Sequence, residues 1–423
     1  MSAVCVVGLG YIGLPTAAML ASKGDRVTGF DVDRKIVDRV NLGEAHFFEP
    51  ELDMLLNAAV NTGRFKAQHQ PTVAEYYIIA VPTPFKANKQ PDLSFVDDAV
   101  ASIAPFLTRG ATVILESTCP VGATERAARA LAKLRSDLTF PEFGQNANPS
   151  DVGLAHCPER VLPGRMVHEL VWNDRIIGGM TTDCAEKALT LYKTFVAGKC
   201  FVTDCRTAEL VKLVENSFRD VNIAFANELS SICGHMDIDV WKVIELANKH
   251  PRVNILSPGA GVGGHCIAVD PWFIVDGAPE HTPLIRAARN VNDGKPLLVA
   301  REIIAHASKF KRPVVACFGV SYKADVEDVR ESPALEIVKE LLSANVAVLV
   351  CDPLVKVLPQ SLANHPLLET ADAEAALGKA DIVAFLVGHS AFRALRRADF
   401  STKIVVDPIG LSRLIDGASE THA

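Results

Sequence analysis

The chain opens and closes on the same rhythm of apolar and polar positions. Short unbroken apolar runs end in glycine, proline or aspartate, and between them apolar residues recur every three or four positions. Unbroken runs mark strands buried on both faces, and the wider spacing marks helices packed on one side. Strands are predicted at 3–7, 26–30, 77–81, 112–116, 314–319, 347–351, 381–387 and 404–406. Helices are predicted at 14–22, 207–235, 283–309 and 333–344. Alternation of the two gives an α/β fold: two Rossmann-like doubly wound domains joined by a long central helix. The expected domains are 1–200, a central helical segment 201–310 and 311–423. The helix at 207–235 has no internal proline, and at ~1.5 Å per residue it is roughly 40 Å long. The stretch 138–153, rich in Pro, Asn and Gly, reads as a surface loop.

Chemistry enters at the punctuation. Gly8, Gly10 and Gly13 form GxGxxG between the first strand and helix, and Asp31 follows 18 residues after the last glycine, at the end of the second strand. That context is the one a dinucleotide pyrophosphate needs, with its phosphates against a helix N-terminus. Asp31 would accept from the ribose hydroxyls and repel a 2′-phosphate, which favours NAD over NADP, although Arg34 nearby tempers this. Thr83, in PTP, and Thr118, in STCPVG, follow two further strands. They are placed to face cofactor or substrate, or to stabilise their turns. Glu159 and Arg160 lie in AHCPERVLPG, where a surface ion pair is the plain alternative to a site.

On the long helix, Lys212, Asn216 and Arg219 are spaced 4 and 3 and share one face. Leu213, Val214, Phe218, Val221, Ile223 and Phe225 surround them, so the strip suggests a site or an interface rather than a solvated stripe. In HPRVN, Arg252 is suited to grip an anion, and His250 to donate a hydrogen bond or to cap a helix. Residues 258–271, PGAGVGGHCIAVDP, place four glycines just before Cys266, with Asp270 four residues on. A thiol on such a loop is a nucleophile where its thiolate is stabilised; otherwise it is a small buried hydrophobe. The C-terminal third lacks its own GxGxxG, but 321–333, SYKADVEDVRESP, carries Lys323 and Arg330 as phosphate or carboxylate partners, or simply as surface charge.

Composition narrows the classes. The 423 residues are 49% hydrophobic and 22% charged with a net charge of −7, a balance that argues against nucleic-acid and anionic-membrane binders. Ten cysteines contain no CxxC pair, so neither a zinc site nor a disulfide framework is expected. No apolar run approaches the ~18 residues of a membrane span, and the N-terminus lacks a basic leader. The expected setting is reducing and cytoplasmic.

Read together, VGLGYIGLP, VPTP, ESTCPVG, CPERVLPG, AELVKLVENSFRDVNIAFANE, GVGGHCIAVDP and SYKADVEDVRESP resemble the UDP-glucose/GDP-mannose dehydrogenase superfamily over essentially the whole chain. CPERVLPG and HPRVNILSPGAGVGGHCIAVDPWF are most like its branch acting on UDP-N-acetyl-D-mannosamine. The UDP-glucose enzymes usually have Phe-Leu where Arg160 and Val161 stand. The resemblance implies an NAD domain, a central segment that forms a homodimer and a C-terminal domain for the UDP moiety. It implies a four-electron oxidation at C6 of the sugar with two NAD⁺, through a Cys266 thiohemiacetal and thioester. Lys212 and Asn216 would stabilise the oxyanion, and Asp270, Glu159 and Thr118 would hold or activate the water. UDP-N-acetylglucosamine, UDP-glucose or GDP-mannose are alternative substrates for the same chemistry.

The resemblance also assigns Tyr11, Ile12, Arg34, Thr83 and Arg330 to the cofactor. Arg160, Val161, Arg219, His250, Arg252, Gly263 and Lys323 are assigned to the substrate. Relatives commonly place a basic residue after the last strand's Asp, whereas Asp407 is followed by Pro408, Ile409 and Gly410. Either Arg413 takes over that contact or the contact is absent.

Overall fold

The computed structural model describes residues 1–86, 88–144, 150–162 and 164–415. The chain divides into two units, Met1–Glu215 and Asn216–Ala423, and the division falls inside a single 31-residue helix, Cys205–His235.

The first unit is built on strands β1 (Ala3–Val7), β2 (Arg26–Phe30), β3 (Phe65–Gln68), β4 (Tyr76–Ile79), β5 (Thr112–Leu115), β6 (Gly153–His156), β7 (Arg175–Gly179) and β8 (Cys200–Asp204). They form one sheet in the order β3-β2-β1-β4-β5-β6-β7-β8. Along β1, Val4 and Val6 join the core on one face while Cys5 and Val7 join the core on the other. Burial on both faces explains the unbroken apolar run. One reversal breaks the parallel order: β7 runs antiparallel to β6, with Ala155 opposite Gly179 and His156 opposite Gly178. The first residues of β7 and of β8, which runs parallel to it, are thereby brought to the edge where β1 to β6 end.

The second unit has five parallel strands, β9 (Val314–Phe318), β10 (Ala347–Cys351), β11 (Leu368–Thr370), β12 (Ile382–Phe385) and β13 (Ile404–Val406), in the order β11-β10-β9-β12-β13. Val315 and Cys317 face one core and Ala316 and Phe318 the other. Within this unit the long helix is tied to the helix Pro283–Ala307 by buried polar groups. Arg289 Nη1 donates to Asp220 Oδ1 at 2.5 Å, Asn292 Nδ2 to the same oxygen at 2.7 Å, and Asn227 Nδ2 to Asn292 Oδ1 at 2.9 Å. Buried polar groups bonded to one another in this way fix a single arrangement of the two helices.

The expected elements match to within one or two residues, with one correction. The stretch 138–153 is not all surface loop: Leu138 and Val152 are buried and Gly153 opens β6. Residues 145–149 of that stretch lie outside the described residues. Among the described residues, no helix is long and apolar enough to cross a membrane.

Candidate active site

The glycine turn after β1 has the shape a dinucleotide requires. Gly8 has φ +90, and a Cβ there would meet the Ala80 carbonyl oxygen at 2.7 Å. A Cβ at Gly13 would lie 1.8 Å from the Gly8 carbonyl oxygen, so the helix Gly13–Ser22 can start this close to the strand only with glycine. A Cβ at Gly10 would meet nothing within 4 Å, leaving open space beside an N-terminus that no side chain caps. Open backbone N–H groups at a helix start are what a pyrophosphate occupies. Asp31 Oδ2 accepts from Leu9 N and Oδ1 from Asp33 N, each at 2.9 Å, which fixes the carboxylate at the end of β2. A carboxylate has about four lone-pair positions, so two bonds leave it able to accept from ribose hydroxyls. These residues fit NAD.

Tyr11 stacks on Phe47 with ring centres 4.2 Å apart, Ile12 is the residue before the helix, and Arg34 is exposed at the start of the next helix, Arg34–Asn41. Thr83 and Thr118, both half-buried, follow β4 and β5. Their loops are stitched together by Ser117, whose hydroxyl donates to the Val81 carbonyl at 2.7 Å.

Glu159 and Arg160 are not a surface pair with each other. Glu159 is buried, and Arg160 Nη2 instead meets Glu215 Oε1 at 2.6 Å, with Nη1 donating to the Asp174 carbonyl at 3.1 Å. Val161 is half-buried beside them. Burial pushes the Glu159 carboxyl up to about 7, against the pull of Lys212 and Arg175 and with a smaller push from Glu116. His156, at the end of β6, is wholly buried; burial, helped by the Lys212 charge, pushes its imidazole down to about 3, so it is neutral. Lys212 thus sits near Glu159 and His156. His156 was not singled out from the sequence, because a lone histidine at the end of an apolar strand carries no signal of its own.

In the second unit, Asn216 Nδ2 donates to Asp270 Oδ2 at 2.5 Å. Asp270 is buried in the first turn of the helix Asp270–Gly277, and its N–H bonds the Cys266 carbonyl at 2.9 Å. Cys266 is the exposed residue among the ten cysteines, and its loop is pressed onto the segment 321–333. A Cβ at Gly263 would lie 2.3 Å from the Glu331 carbonyl oxygen, one at Gly264 2.8 Å from the Tyr322 ring, and one at Gly261 2.8 Å from Pro333. The glycines therefore join Cys266 to the loop that carries Lys323 and Arg330.

His265 lies among that loop's charges: burial and then Arg330 lower its imidazole, while Asp328 and Glu331 oppose them. Arg330 holds Asp328 through Nε–Oδ1 at 3.0 Å and Nη2–Oδ2 at 2.6 Å. Arg219, His250 and Arg252 are exposed, and His250 Nδ1 accepts the Arg252 N–H at 3.3 Å, which is a local turn. Lys323 is half-buried, its ammonium 5.8 Å from the Tyr322 ring centre.

The second sheet repeats the first turn and then closes it. Gly319, with φ +85, bonds the Cys351 carbonyl at 2.8 Å just as Gly8 bonds Phe30, and Asp352 Oδ2 accepts from Val320 N at 2.7 Å. Asp352 also accepts from Leu354 N at 2.9 Å and Val355 N at 3.0 Å, and it meets His389 Nε2 at 3.1 Å. Although its burial works the other way, these bonds hold its carboxyl down at about 2. Unlike Asp31, it has no capacity left for a ribose. Arg413 is paired with Asp239, so it does not lie idle beside Asp407, whose carboxylate accepts from Leu411 N and Ser412 N at 3.0 and 2.7 Å.

Residues 2–196 match the family model of the NAD binding domain of the UDP-glucose/GDP-mannose dehydrogenase family, 206–294 its central domain and 316–412 its UDP binding domain. An NDP-N-acetyl-D-galactosaminuronic acid dehydrogenase of Ralstonia nicotianae is 56% identical over 409 residues, 96% of each chain. A UDP-N-acetyl-D-mannosamine dehydrogenase of Campylobacter jejuni is 54% identical over 391 residues, 92% of this chain and 96% of that one. Among solved structures, a UDP-N-acetyl-mannosamine dehydrogenase of Staphylococcus aureus superposes with a TM-score of 0.84 at 40% identity, covering 97% of this chain and 95% of that one.

Proposed function

The chain belongs to the UDP-glucose/GDP-mannose dehydrogenase family, and we propose that within it the protein oxidises UDP-N-acetyl-D-mannosamine at C6 to the uronate. It is an NAD-dependent nucleotide-sugar dehydrogenase. The observation that carries the four-electron reading is the exposed Cys266 thiol on a loop whose carbonyl is held by Asp270, with Asp270 in turn held by Asn216.

NAD⁺, when bound, supplies the acceptor for the hydride lost from C6 at each of two oxidations. Lys212 stabilises the charge that develops on the C6 oxygen as the alcohol gives up its proton and hydride. The Cys266 sulfur then attacks the aldehyde carbon, forming a C–S bond and a thiohemiacetal. That bond keeps a reactive aldehyde in place between the two oxidations. Loss of a second hydride leaves a thioester. Water, held by Thr118 and Asp270 and deprotonated by Glu159, adds to it and expels the thiol. One sugar alcohol and one water thus give one carboxylate, two NADH and three protons. Arg160, Val161, Arg219, His250, Arg252, Gly263 and Lys323 are proposed for the sugar nucleotide, and Tyr11, Ile12, Arg34, Thr83 and Arg330 for the cofactor.

The substrate rests on the chain-long likeness to the UDP-N-acetyl-D-mannosamine enzymes, of which several are 50–54% identical. A second reading, with an N-acetylgalactosamine-type sugar in place of N-acetylmannosamine, is favoured by the Ralstonia relative, an NDP-N-acetyl-D-galactosaminuronic acid dehydrogenase. Sugar epimers differ at single hydroxyl or acetamido positions, which motif spacing does not read. NADH formed per sugar, measured on the UDP-linked N-acetylmannosamine, N-acetylgalactosamine, N-acetylglucosamine and glucose, tests both parts. Two NADH per molecule, with the highest kcat/KM on the first sugar, is expected. One NADH removes the four-electron reading, and preference for another sugar removes the substrate.

The working unit is proposed to be a homodimer. Val214, Phe218, Phe225 and Ile232 are 48%, 69%, 55% and 44% exposed along the long helix. Their spacing of four, seven and seven places them on one apolar stripe, which suits a second copy of the same helix.

A further inference from the structure

Next to Glu159, within the first unit, lies a buried charged cluster that the reaction as proposed leaves unused. Arg175, the first residue of β7, is 1% exposed. Its Nη1 meets Glu116 Oε1 at 3.5 Å, and its guanidinium lies 5.5 Å from the centre of the Tyr192 ring. Glu116 also accepts from the Tyr192 hydroxyl at 3.2 Å and the Thr16 hydroxyl at 3.3 Å. Among the described residues, Arg175 Nε and Nη2 have no hydrogen-bond partner, and neither has Glu159 Oε1. Withdrawing a guanidinium from water is costly, and swapping such a buried pair for apolar residues is often neutral or stabilising. Packing alone therefore gives little reason for an arginine here.

The sheet explains how these groups meet. Because β7 is antiparallel to β6, the register of His156 opposite Gly178, continued past the strand's end, brings Arg175 level with Glu159. In a wholly parallel sheet the first residue of a strand would stand at the opposite edge. Glu116 follows Leu115, which is opposite His156, so it arrives at the same edge from β5.

We propose that Arg175, anchored by Glu116 and Tyr192, is a positioning residue whose charge keeps the Glu159 carboxylate ionised for activating water. The inference rests on the reading of Glu159 as the base for thioester hydrolysis. The groups facing Glu159 are Lys212 from the long helix, Arg175 from β7 and Glu116 from the end of β5, with His156, Cys157 and Tyr192 uncharged around them. Arg175 and Lys212 favour the carboxylate, and burial and Glu116 disfavour it.

The test is the pH dependence of kcat for NADH formation on the full-length protein, in three variants. Arg175→Met takes away a facing cation and moves the acidic limb up by about one pH unit. Glu116→Gln keeps the shape and the acceptor for Tyr192 while removing a facing anion, and moves the limb down. Arg175→Lys restores the limb most of the way. A merely structural role lowers kcat or Tm without moving the limb in opposite directions. An unmoved limb in folded Glu116→Gln, or shifts of the same sign in both variants, overturns the proposal, and Glu116→Gln decides it even where Arg175→Met does not fold. Glu159→Gln separates the two readings. If the limb survives in that variant, Glu159 is not the base and both readings fall; if it vanishes there yet stays fixed in Glu116→Gln, only the role of Arg175 falls.

Discussion

Asn216 gives one of its two amide hydrogens to Asp270, 2.5 Å away, and so has the other left for a reacting oxygen. Asp270 fixes which way the amide points, while its own N–H fixes the carbonyl of Cys266. Removing one preorganised donor from a developing oxyanion costs on the order of 10²-fold in kcat. Asn216→Ala is therefore expected to lower kcat by about that factor with KM little changed. Asp270→Ala, which frees the amide to rotate, should fall at least as far. Steady-state kinetics on both variants check this, and a wild-type kcat in Asn216→Ala ends its assignment as a donor.

Cys266→Ser replaces the thiol by a far poorer nucleophile while keeping its size. The expected result is at most one NADH per sugar instead of two, with no uronate formed. The product ratio is read by absorbance and mass spectrometry of the sugar nucleotide. Uronate formation at the wild-type rate would take Cys266 out of the covalent role.

Two glycines in two turns should fail differently. A Cβ at Gly10 meets no protein atom within 4 Å, so Gly10→Ala should leave stability within about 0.5 kcal/mol while weakening NAD binding tenfold or more. A Cβ at Gly263 would stand 2.3 Å from the Glu331 carbonyl, so Gly263→Ala has to displace the Cys266 loop and should lose both Tm and turnover. Calorimetry with and without NAD separates the cases. Equal loss of Tm in both variants contradicts the distinction.

What the sequence made legible follows from where each element sits. β1 and β10 are almost wholly buried apolar runs, β2 and β13 more mixed or half-buried ones, all closed by Gly or Asp, and their predicted bounds match the strands. β7 begins with a buried arginine and ends in two glycines, and β8 exposes Phe201 and Val202, so neither shows the signal of a central strand. The dinucleotide turn was legible because its glycines answer to local contacts. The burial of Glu159 was not, since it depends on β6, β7 and the long helix, which come from distant parts of the chain. The pairing of Arg160 with Glu215, 55 residues on, was hidden for the same reason. Cys266 could be singled out by its glycines, but its chemical role came from the whole-chain resemblance.

Phe218 is 69% exposed at the middle of the apolar stripe on the long helix. Phe218→Glu would bury a carboxylate without a partner wherever that stripe is covered by a second copy. The variant is expected to sediment as a monomer at concentrations where the wild type is a dimer. A wild-type monomer, or a dimer unaffected by the change, removes this helix as the interface.

Glu159 links the proposed chemistry to stability. Its carboxyl is raised from 4.5 to about 7 in the folded chain, so between those values the folded state holds a proton that the unfolded state has released. Linkage then makes stability fall as pH rises from about 4.5 to 7, by on the order of 3 kcal/mol from this group. The stabilising share is present below the unfolded pKa and gone above the folded one. His156, lowered to about 3, tilts the other way, because it takes up a proton on unfolding below about 6.5. Wild-type stability alone therefore mixes two slopes, and the difference between Glu159→Gln and wild type isolates one. That difference should be small near pH 4.5 and grow in favour of the variant toward pH 8, while turnover at pH 8 collapses. Denaturant melts across that range, paired with kcat, give the answer: a variant less stable than wild type at pH 8 would show that the Glu159 carboxylate is well accommodated rather than held at a cost for catalysis.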